Sequence, residues 1–546
     1  MMTQQDLLLA TGKQSRDTDQ RTIESFGIPG QTLMEIAGNR AADIIMADFL
    51  EADFPEEAAG YSVPSSVLFI CGKGNNAGDA FVIARILLNN GFKMTLLPVL
   101  GGDGYSPDAQ LNYDRLMHLS REMGVDVPVL KQFPPPADFD LIVDGIFGTG
   151  LERPVISPVS DVVDRINRSG KPVYALDIPS GIHSDSGEVL GCAVRATKTI
   201  QFGIRKLGCY LGDGPLYCGS RELVSLPFPF IYKNEIRTRI ADITLQPLRK
   251  LSIHQDYEYD VSSGRTSNFG QTGKESLSRI RRHKYNNGVV HVIGGSPGLA
   301  GAPVYAARAA WSLGMGAVCL LYPSAWALSM ESLAPHLIKV PVGTLGSQSE
   351  SGYFSKDDAN AVLKHLQDKK GVTVIGPGIG RRNQTQTFVR KIIQEHDGPM
   401  IIDADALHCI KGYEHIISGK RHPERVILTP HPGELAVLTG IKPQSDLGRL
   451  QTVKELSERI GCVVLSKGSP VFLHSHADQQ TIITPYETND FSRAGFGDIL
   501  AGHIAAFLSR TSAPVDSCEH ALIYGFKKLN QVKSTGKKFP EPSDLS

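Results

Sequence analysis

A chain of 546 residues exceeds what one hydrophobic core normally organises, so we expect two domains, each able to bury its own core. The 56 basic and 57 acidic residues leave a formal net charge of −1. No overall field therefore favours nucleic acid or an anionic membrane, and a charged ligand must be bound by local groups. We expect neither a nucleic acid nor a membrane as a partner.

The eight cysteines are scattered without CxxC pairs or the sequence spacing of zinc ligands. Several lie inside apolar, strand-like runs, which indicates buried, reduced thiols. The N-terminal segment has one short apolar run, Leu7–Ala10, without a basic flank or a cleavage-like site, so we expect a cytoplasmic protein. The cysteines are Cys71, Cys192, Cys209, Cys218, Cys319, Cys409, Cys462 and Cys518.

Two series of short aliphatic runs predict two α/β domains with parallel sheets. Between them the pattern fails, and the Ser-, Gly- and Thr-rich stretch Ser262–Gly273 indicates a flexible connector. The predicted boundaries are 1–225, 226–280 for the connector and 281–546. The predicted strands are Val67–Cys71, Met94–Val99, Leu141–Val143 and Pro172–Leu176, then Val289–Ile293, Ala317–Leu321, Val372–Ile375, Met400–Ile402, Val426–Leu428 and Val463–Leu465, before a buried helix at Ile499–Leu508.

The run Val67–Cys71 is followed by the glycine-rich segment Gly72–Ala80 and then by the helical pattern Phe81–Leu88. Glycines allow a backbone to approach a phosphate, and the start of a helix supplies unpaired N–H donors. A tight turn without a ligand would explain the glycines equally well. The polar side chains of Asn75–Asp79 favour a binding loop, because such groups can coordinate or hydrogen-bond a ligand.

Two further strand ends of the first half carry an aspartate. Asp144 follows Leu141–Val143, and Asp177 follows Pro172–Leu176. Either aspartate alone would be explained by capping of a helix or turn. Ligands of open α/β sheets bind beyond the carboxyl ends of the strands, so three polar strand ends in one domain predict a shared site.

In this order, Gly-x-Gly-Asn-Asn-x-Gly-Asp, Asp-Gly-Ile-Phe-Gly-Thr-Gly-Leu and Asp-Ile-Pro-Ser-Gly resemble the motifs of the NAD(P)H-hydrate epimerase (YjeF N-terminal) family, over about residues 10–225. The resemblance implies a Rossmann-like domain that interconverts the C6 epimers of NADH or NADPH hydrated across the nicotinamide C5–C6 bond. Asp177 would be catalytic, and Asn76, Asp144 and Ser180 would hold a potassium ion, which prefers oxygen ligands. The implied substrate-binding residues are Asn75, Asn76, Ala77, Gly78, Asp79, Gly148, Thr149, Gly150, Leu151, Glu152, Arg153, Pro154 and Asp177.

In the second half, Arg493–Gly502 places small residues and Asp498 at the start of an apolar helix. Backbone N–H groups and the helix N-terminus can stabilise a transferring phosphoryl group, while Asp498 can accept a hydroxyl proton. A simple helix cap is the alternative explanation of Asp498. Upstream, Thr429–Glu434 fixes the backbone around His431 with two prolines and a glycine, which favours a site role for this loop.

A second resemblance, to the ribokinase-like ADP/ATP-dependent NAD(P)H-hydrate dehydratase family, covers about residues 281–525. It implies that Asp498 is a catalytic base. The implied substrate contacts are Ala302, Gly378, His431 and Asp498, and the implied nucleotide contacts are Lys467, Gly468, Ser469, Pro470, Val471 and Gly497. The motifs that carry the resemblance are His283-Lys284, Gly301-Ala302-Pro303, Gly376–Gly380, Asp403–Leu407, Thr429–Glu434, Lys467-Gly468 and Gly495–Asp498.

The order of the two halves resembles that of bifunctional NAD(P)H-hydrate repair enzymes, which implies ADP- or ATP-dependent dehydration of the S epimer. By the same resemblance we expect K⁺ in the first domain, Mg²⁺ with the nucleotide in the second, and a homo-oligomer. Two alternatives stay open. The second domain could be an ordinary small-molecule kinase, because the same anion hole serves both reactions. The first domain could be a binding module without enzymatic activity.

Overall fold

The computed structural model describes residues 4–51, 66–245, 258–260, 265–267, 287–343, 352–486 and 488–546. The chain forms two compact units, one of Met1–Arg239 with Ser445–Leu447 and one of Ile240–Gln444 with Gly448–Ser546. The boundary predicted at residue 280 and the motif His283-Lys284 lie outside the described residues. The domain boundaries therefore stay predictions.

The first unit is built on a six-stranded parallel sheet. Its strands are β1 (Ser66–Cys71), β2 (Lys93–Pro98), β3 (Leu141–Gly145), β4 (Val173–Leu176), β5 (Lys198–Phe202) and β6 (Ser220–Val224), in the spatial order β2-β1-β3-β4-β5-β6. Its helices are α1 (Gly12–Glu24), α2 (Gly30–Glu51), α3 (Asn75–Asn89), α4 (Pro107–Met123), α5 (Val159–Asn167), α6 (Gly214–Cys218) and α7 (Phe230–Lys233). A short parallel pair joins Leu9–Ala10 to Arg205–Lys206.

Alternate residues of β1 belong to two different hydrophobic cores. Val67 and Phe69 pack in one core with side chains of α2 and α3, whereas Leu68 and Ile70 pack in the other with α5. Because both faces of the strand are covered, every position of β1 has to be apolar. This is why the strand appears in the sequence as a continuous aliphatic run.

The second unit contains a larger sheet that is parallel over most of its width. Its strands are β7 (Thr238–Ile240), β8 (Val289–Ile293), β9 (Ala317–Pro323), β10 (Ile338–Val342), β11 (Val372–Ile375), β12 (Met400–Ile402), β13 (Val426–Leu428), β14 (Val463–Ser466), β15 (Phe472–Ser475) and β16 (Gln480–Ile483), in the order β10-β9-β8-β11-β12-β13-β14-β15-β16-β7. The pairs β14–β15 and β15–β16 are antiparallel.

The helices of the second unit are α8 (Gly301–Ser312), α9 (Ala327–Leu333), α10 (Ala359–Asp368), α11 (Asn383–Glu395), α12 (Asp405–Cys409), α13 (His415–Ser418), α14 (Pro432–Thr439), α15 (Asp446–Ile460), α16 (Phe496–Thr511), α17 (Pro514–Ser534) and α18 (Pro542–Leu545). One hydrophobic core joins Val290 and Val292 of β8 to side chains of α8, α16 and α17. The helix α16, whose first turn carries the predicted base, is thus held by a packed core.

The predicted α/β class is confirmed, and all ten predicted strands are present. The helix predicted at Phe81–Leu88 begins six residues earlier, at Asn75, so that predicted start is wrong. The runs at β5, β6 and β10 were not predicted, because polar residues interrupt their apolar pattern: Lys198 and Gln201 in β5, Arg221 and Glu222 in β6, and Lys339 in β10.

The thiol prediction is confirmed. All eight cysteines fall within the described residues, none forms a disulfide, and seven are buried. Across the described ranges, no helix combines the length and the apolar composition needed to cross a bilayer.

Gly502 lies where α16 packs against α8, and a Cβ atom added there would come within 2.1 Å of the Ala306 carbonyl oxygen. That oxygen belongs to backbone and cannot move aside cheaply. We expect Gly502→Ala to lower the free energy of unfolding by about 1–3 kcal/mol, measured by denaturant titration with circular dichroism.

The matched control is Gly525→Ala in α17, where the added atom would meet only Phe491 Cζ, at 4.0 Å. The free energy of unfolding of this variant should rise by about 0.5–1 kcal/mol, because alanine is more favourable than glycine in the interior of a helix. Equal effects of the two substitutions would contradict the close approach of α16 to α8.

Candidate active sites

The first unit has a cavity of about 740 Å³ at the carboxyl ends of its parallel strands. The segments that follow β1, β3 and β4 all contribute to its wall, so the structure brings the three polar strand ends together. The predicted substrate-binding residues that line it are Asn75, Asn76, Asp79, Gly148, Thr149, Gly150, Leu151, Glu152, Arg153 and Asp177. The predicted residues Ala77, Gly78 and Pro154 are not among its lining residues.

The motif Asn75–Asp79 forms the first turns of α3 instead of a loop ahead of the helix. Helical geometry separates its side chains: Ala77 and Gly78 are buried, and a Cβ on Gly78 would lie 2.7 Å from Met34 Cε. Asn75 and Asp79 line the cavity. The unpaired N–H groups and the positive end of the helix dipole therefore lie at the cavity, where they favour an anionic ligand.

Asp177 follows β4 and has a φ of 67°, in the left-handed region that strains a residue other than glycine. Its carboxylate forms an ion pair with Lys206 Nζ and accepts a hydrogen bond from the Phe202 N–H at 3.1 Å. The Lys206 side chain is only 2% exposed and also donates to the Phe202 carbonyl at 2.6 Å. These contacts fix Asp177 in the wall of the cavity. Lys206 was not among the predicted site residues.

The carboxylates of Asp79 and Asp19 line the same cavity. Burial raises the pKa of Asp79 well above its ordinary value, Asp177 raises it further, and Lys206 lowers it. The pKa of Asp19, on α1, is also raised by burial first, against the lowering effect of Lys206. Three carboxylates thus lie near one buried lysine. Asp79 keeps its proton to a higher pH than an ordinary aspartate does, and it can donate that proton. Asp19, like Lys206, was not predicted.

The predicted potassium ligands Asn76, Asp144 and Ser180 come together at this edge of the sheet. Asp144 accepts hydrogen bonds from the Ser180 hydroxyl at 2.7 Å and the Ser180 N–H at 2.8 Å. Burial raises the pKa of Asp144 to about 6, opposed by these bonds. Asn76 Nδ2 donates to the Phe147 carbonyl, whereas Asn76 Oδ1 is buried with no hydrogen-bond partner among the described residues. An unsatisfied oxygen beside a buried carboxylate fits a hard cation such as K⁺.

The second unit has a cavity of about 510 Å³ around the start of α16. The predicted residues that line it are His431, Lys467, Gly468, Ser469, Val471, Gly497 and Asp498. Pro470, Ala302 and Gly378 are not among its lining residues. Ala302 and Gly378 do lie together, since a Cβ on Gly378 would be 3.3 Å from Ala302 Cβ.

Asp498 lies in the first turn of α16, whose N-cap residue is Gly495, so Asp498 is not the simple helix cap of the alternative explanation. Burial raises the pKa of Asp498 to about 7; Asp403 raises it further, and Lys467 lowers it. A carboxylate that titrates near neutrality is suited to accept a hydroxyl proton. The helix N-terminus beside it can stabilise the charge of a transferring phosphoryl group.

Lys467 is held by Asp403, which follows β12. Lys467 Nζ lies 2.5 Å from Asp403 Oδ1, which also accepts a hydrogen bond from Thr429 Oγ1 at 2.8 Å. Burial lowers the pKa of Lys467, but attraction by Asp403, Glu434 and Asp498 outweighs burial and raises it. Lys467 is therefore a fixed positive charge in the cavity wall. Asp403 belonged to a predicted motif but was not predicted as a site residue.

His431 is the N-cap residue of α14, and its loop is locked by two reciprocal contacts. The His431 ring Nδ1 accepts from the Gly433 N–H at 3.0 Å, and the His431 N–H donates to Glu434 Oε2 at 2.9 Å. The His431 side chain is 56% exposed, so a rigid loop presents an accessible ring at the cavity. Burial is the main cause that raises the pKa of Glu434.

Comparisons with known proteins cover both units. Residues 30–208 match the family described as YjeF-related protein N-terminus, and residues 290–525 match the family described as NAD(P)H-hydrate dehydratase. A bifunctional NAD(P)H-hydrate repair enzyme from Salinibacter ruber is 31% identical over 520 residues, which are 93% of this chain and 89% of that protein. The chain belongs to the family of bifunctional NAD(P)H-hydrate repair enzymes.

A second member of this repair-enzyme family, from Coxiella burnetii, is 30% identical over 506 residues, with 92% of this chain and 90% of that protein covered. Among solved structures, an ADP/ATP-dependent NAD(P)H-hydrate dehydratase from Bacillus subtilis, co-crystallised with ATP and Mg²⁺, is 21% identical. That comparison covers 48% of this chain and 88% of the other, with a TM-score of 0.39.

The raised pKa of Asp498 has a consequence for the stability of this repair enzyme. The folded state keeps the Asp498 proton up to about pH 7, whereas the unfolded chain loses it near the ordinary value of 3.8. The folded state binds more protons in that window, so stability falls as pH rises through it. Between about pH 4 and about pH 7, we expect the free energy of unfolding of Asp498→Asn to rise relative to that of the wild type, by up to about 4 kcal/mol.

Denaturant titrations across this pH range measure the difference between the two proteins. The exposed Asp368→Asn variant is the control for loss of an acidic group from the same unit. A pH-independent difference between Asp498→Asn and the wild type would contradict the raised pKa of Asp498.

Proposed function

We propose that the first unit interconverts the C6 epimers of hydrated NADH or NADPH and that the second unit dehydrates the S epimer with ADP or ATP. The observation that carries this proposal is the Salinibacter ruber relative, which matches 93% of the chain and therefore both units. Each unit also has its own cavity, and each cavity is lined by residues of the predicted motifs.

In the first unit, departure of the C6 hydroxyl would leave a cationic nicotinamide ring. A nearby carboxylate stabilises such a cation, and Asp177, held by Lys206, is the group fixed in the cavity wall. Asp79, whose pKa is raised by burial, donates the proton with which the hydroxyl leaves as water. Return of water to the opposite face of the ring, with loss of a proton, gives the other epimer.

In the second unit, Asp498 accepts the proton of the C6 hydroxyl as its oxygen attacks the terminal phosphoryl group of the nucleotide. Lys467 and the start of α16 stabilise the charge on that group. The C6–O bond then breaks as phosphate leaves, and loss of a proton from C5 restores the double bond. A rigid loop at His431 would hold the ring in place.

Two cations belong to this proposal. In the first unit, Asn76, Asp144 and Ser180 would hold K⁺, which neutralises the buried carboxylate and supplies a positive charge near the ligand. In the second unit, Mg²⁺ would arrive with the nucleotide phosphates and screen their charge. Asp403 Oδ2, buried without a hydrogen-bond partner among the described residues, is an oxygen of the type that Mg²⁺ prefers. We also propose that the protein is cytoplasmic and forms a homo-oligomer.

Mixed epimers of hydrated NADH, incubated with ADP or ATP, test the two reactions in one assay. Recovery of the near-ultraviolet absorbance of the reduced nicotinamide reports repair. With the wild type we expect the absorbance of both epimers to recover completely. With Asp177→Asn only the S fraction should recover promptly, because the rate of epimerisation should fall by about 100-fold or more. With Asp498→Asn, the rate of recovery should fall by about 100- to 10,000-fold for both fractions.

The exposed Asp103→Asn variant is the control for loss of a carboxylate elsewhere in the first unit and should behave as the wild type. A stable phosphorylated product without recovery of absorbance would instead establish a kinase in the second unit. Full repair of both epimers by Asp177→Asn would refute an enzymatic role for Asp177 and leave the binding-module alternative for the first unit.

A further inference from the structure

Three side chains that neither reaction uses lie together in the second unit. His291 on β8 and Cys319 on β9 are register partners in the parallel sheet, and His365 comes from α10. One ligand-type atom from each of the three residues lies within 4.8 Å of the others. None of the three lines either cavity, so the cluster is separate from both candidate active sites.

The His291 ring is held by a contact with the backbone. Its Nε2 lies 2.7 Å from the Lys369 carbonyl oxygen, which can only accept, so Nε2 carries the proton. The lone pair is therefore on Nδ1, which is buried with no hydrogen-bond partner among the described residues. Metal-binding histidines characteristically donate their other ring N–H to a backbone carbonyl in this way.

The His365 ring offers a second buried nitrogen. His365 Nε2 is buried and has no hydrogen-bond partner in the described part of the chain. A neutral imidazole can donate the lone pair of such a nitrogen to a metal ion. Two buried ring nitrogens without a partner destabilise a fold unless something binds them.

We propose that His291, Cys319 and His365 form a binding site for one Zn²⁺ or Cu⁺ ion. Two imidazoles and a thiolate are the donor set that borderline and soft cations prefer, and K⁺ and Mg²⁺ prefer oxygen. Ligand atoms on one tetrahedral zinc ion lie about 3.5 Å apart, so the three atoms need to approach one another by at most about 1.3 Å. A bound ion would satisfy both ring nitrogens and join β8, β9 and α10.

The sequence gives no sign of this site, because its ligands are separated along the chain and lack the spacing of a zinc motif. The parallel pairing of β8 with β9 brings His291 beside Cys319. The metal site goes beyond the proposed function and does not depend on it, because its ligands do not line either substrate cavity.

Metal titration of the full-length protein, stripped with a chelator, tests the site. Co²⁺ serves as the spectroscopic probe for zinc, because a Co²⁺–thiolate bond gives a charge-transfer band that carboxylate ligands do not give. We expect one equivalent of Co²⁺ to produce this band and Zn²⁺ or Cu⁺ to abolish it by displacement. The ion that binds more tightly under anaerobic competition identifies the preferred metal and should raise the melting temperature.

Cys319→Ala should remove the band, and His365→Gln should weaken Zn²⁺ binding by about 100-fold or more. Two variants serve as controls: Cys462→Ala removes another buried thiol, and His336→Gln removes another histidine of the same unit. Both variants should give the Co²⁺ band and bind Zn²⁺ as tightly as the wild type. The proposal is overturned if the wild type gives no thiolate band and binds no Cu⁺. It is equally overturned if the band survives in Cys319→Ala, or if bound Zn²⁺ is unaffected by both ligand substitutions.

Discussion

Each candidate active site depends on a lysine, fully buried in the first unit and partly buried in the second, that is paired with an aspartate beyond the end of a parallel strand. Lys206 is held by Asp177 in the first unit, and Lys467 is held by Asp403 in the second. In both sites the carboxylates outnumber this lysine, so one of them keeps a proton to higher pH. That carboxylate has a raised pKa: Asp79 in the first site and Asp498, at about 7, in the second. The titratable acid can exchange a proton with a substrate, and the anchored cation sets the pKa of that acid by its charge.

The sheets bring these groups together because the strand ends approach one another closely. A Cβ on Gly72, after β1, would lie 1.9 Å from the Ile146 carbonyl oxygen beyond β3. In the second unit, a Cβ on Gly376, with a φ of 124°, would lie 1.8 Å from the Asp403 carbonyl oxygen. Only glycine permits such contacts, so these two positions fix the spacing from which the site residues project.

The strand ends and the carboxylates Asp144, Asp177 and Asp498 could be predicted, because short aliphatic runs followed by Gly and Asp give a strong local signal. Lys206 and Asp19 could not. Each reaches its site through tertiary packing, and no motif surrounds either residue in the sequence. The start of α3 was misplaced because Asn75–Asp79 is polar and resembles a loop, although it forms the first turns of the helix. The roles of all the predicted site residues, Ala302 and Gly378 among them, stay predictions, since an occupied site would be needed to test their contacts with a substrate.

The control of Asp498 by Lys467 is tested most directly by the pH dependence of dehydration in single turnovers at saturating nucleotide. The base form of Asp498 must accumulate before reaction, so the wild-type rate should rise with pH and reach half its maximum near pH 7. Lys467→Met removes the charge that lowers the pKa of Asp498, and the midpoint should move to higher pH. A rate independent of pH in the wild type, or a midpoint that is unchanged or lower in Lys467→Met, would contradict this control.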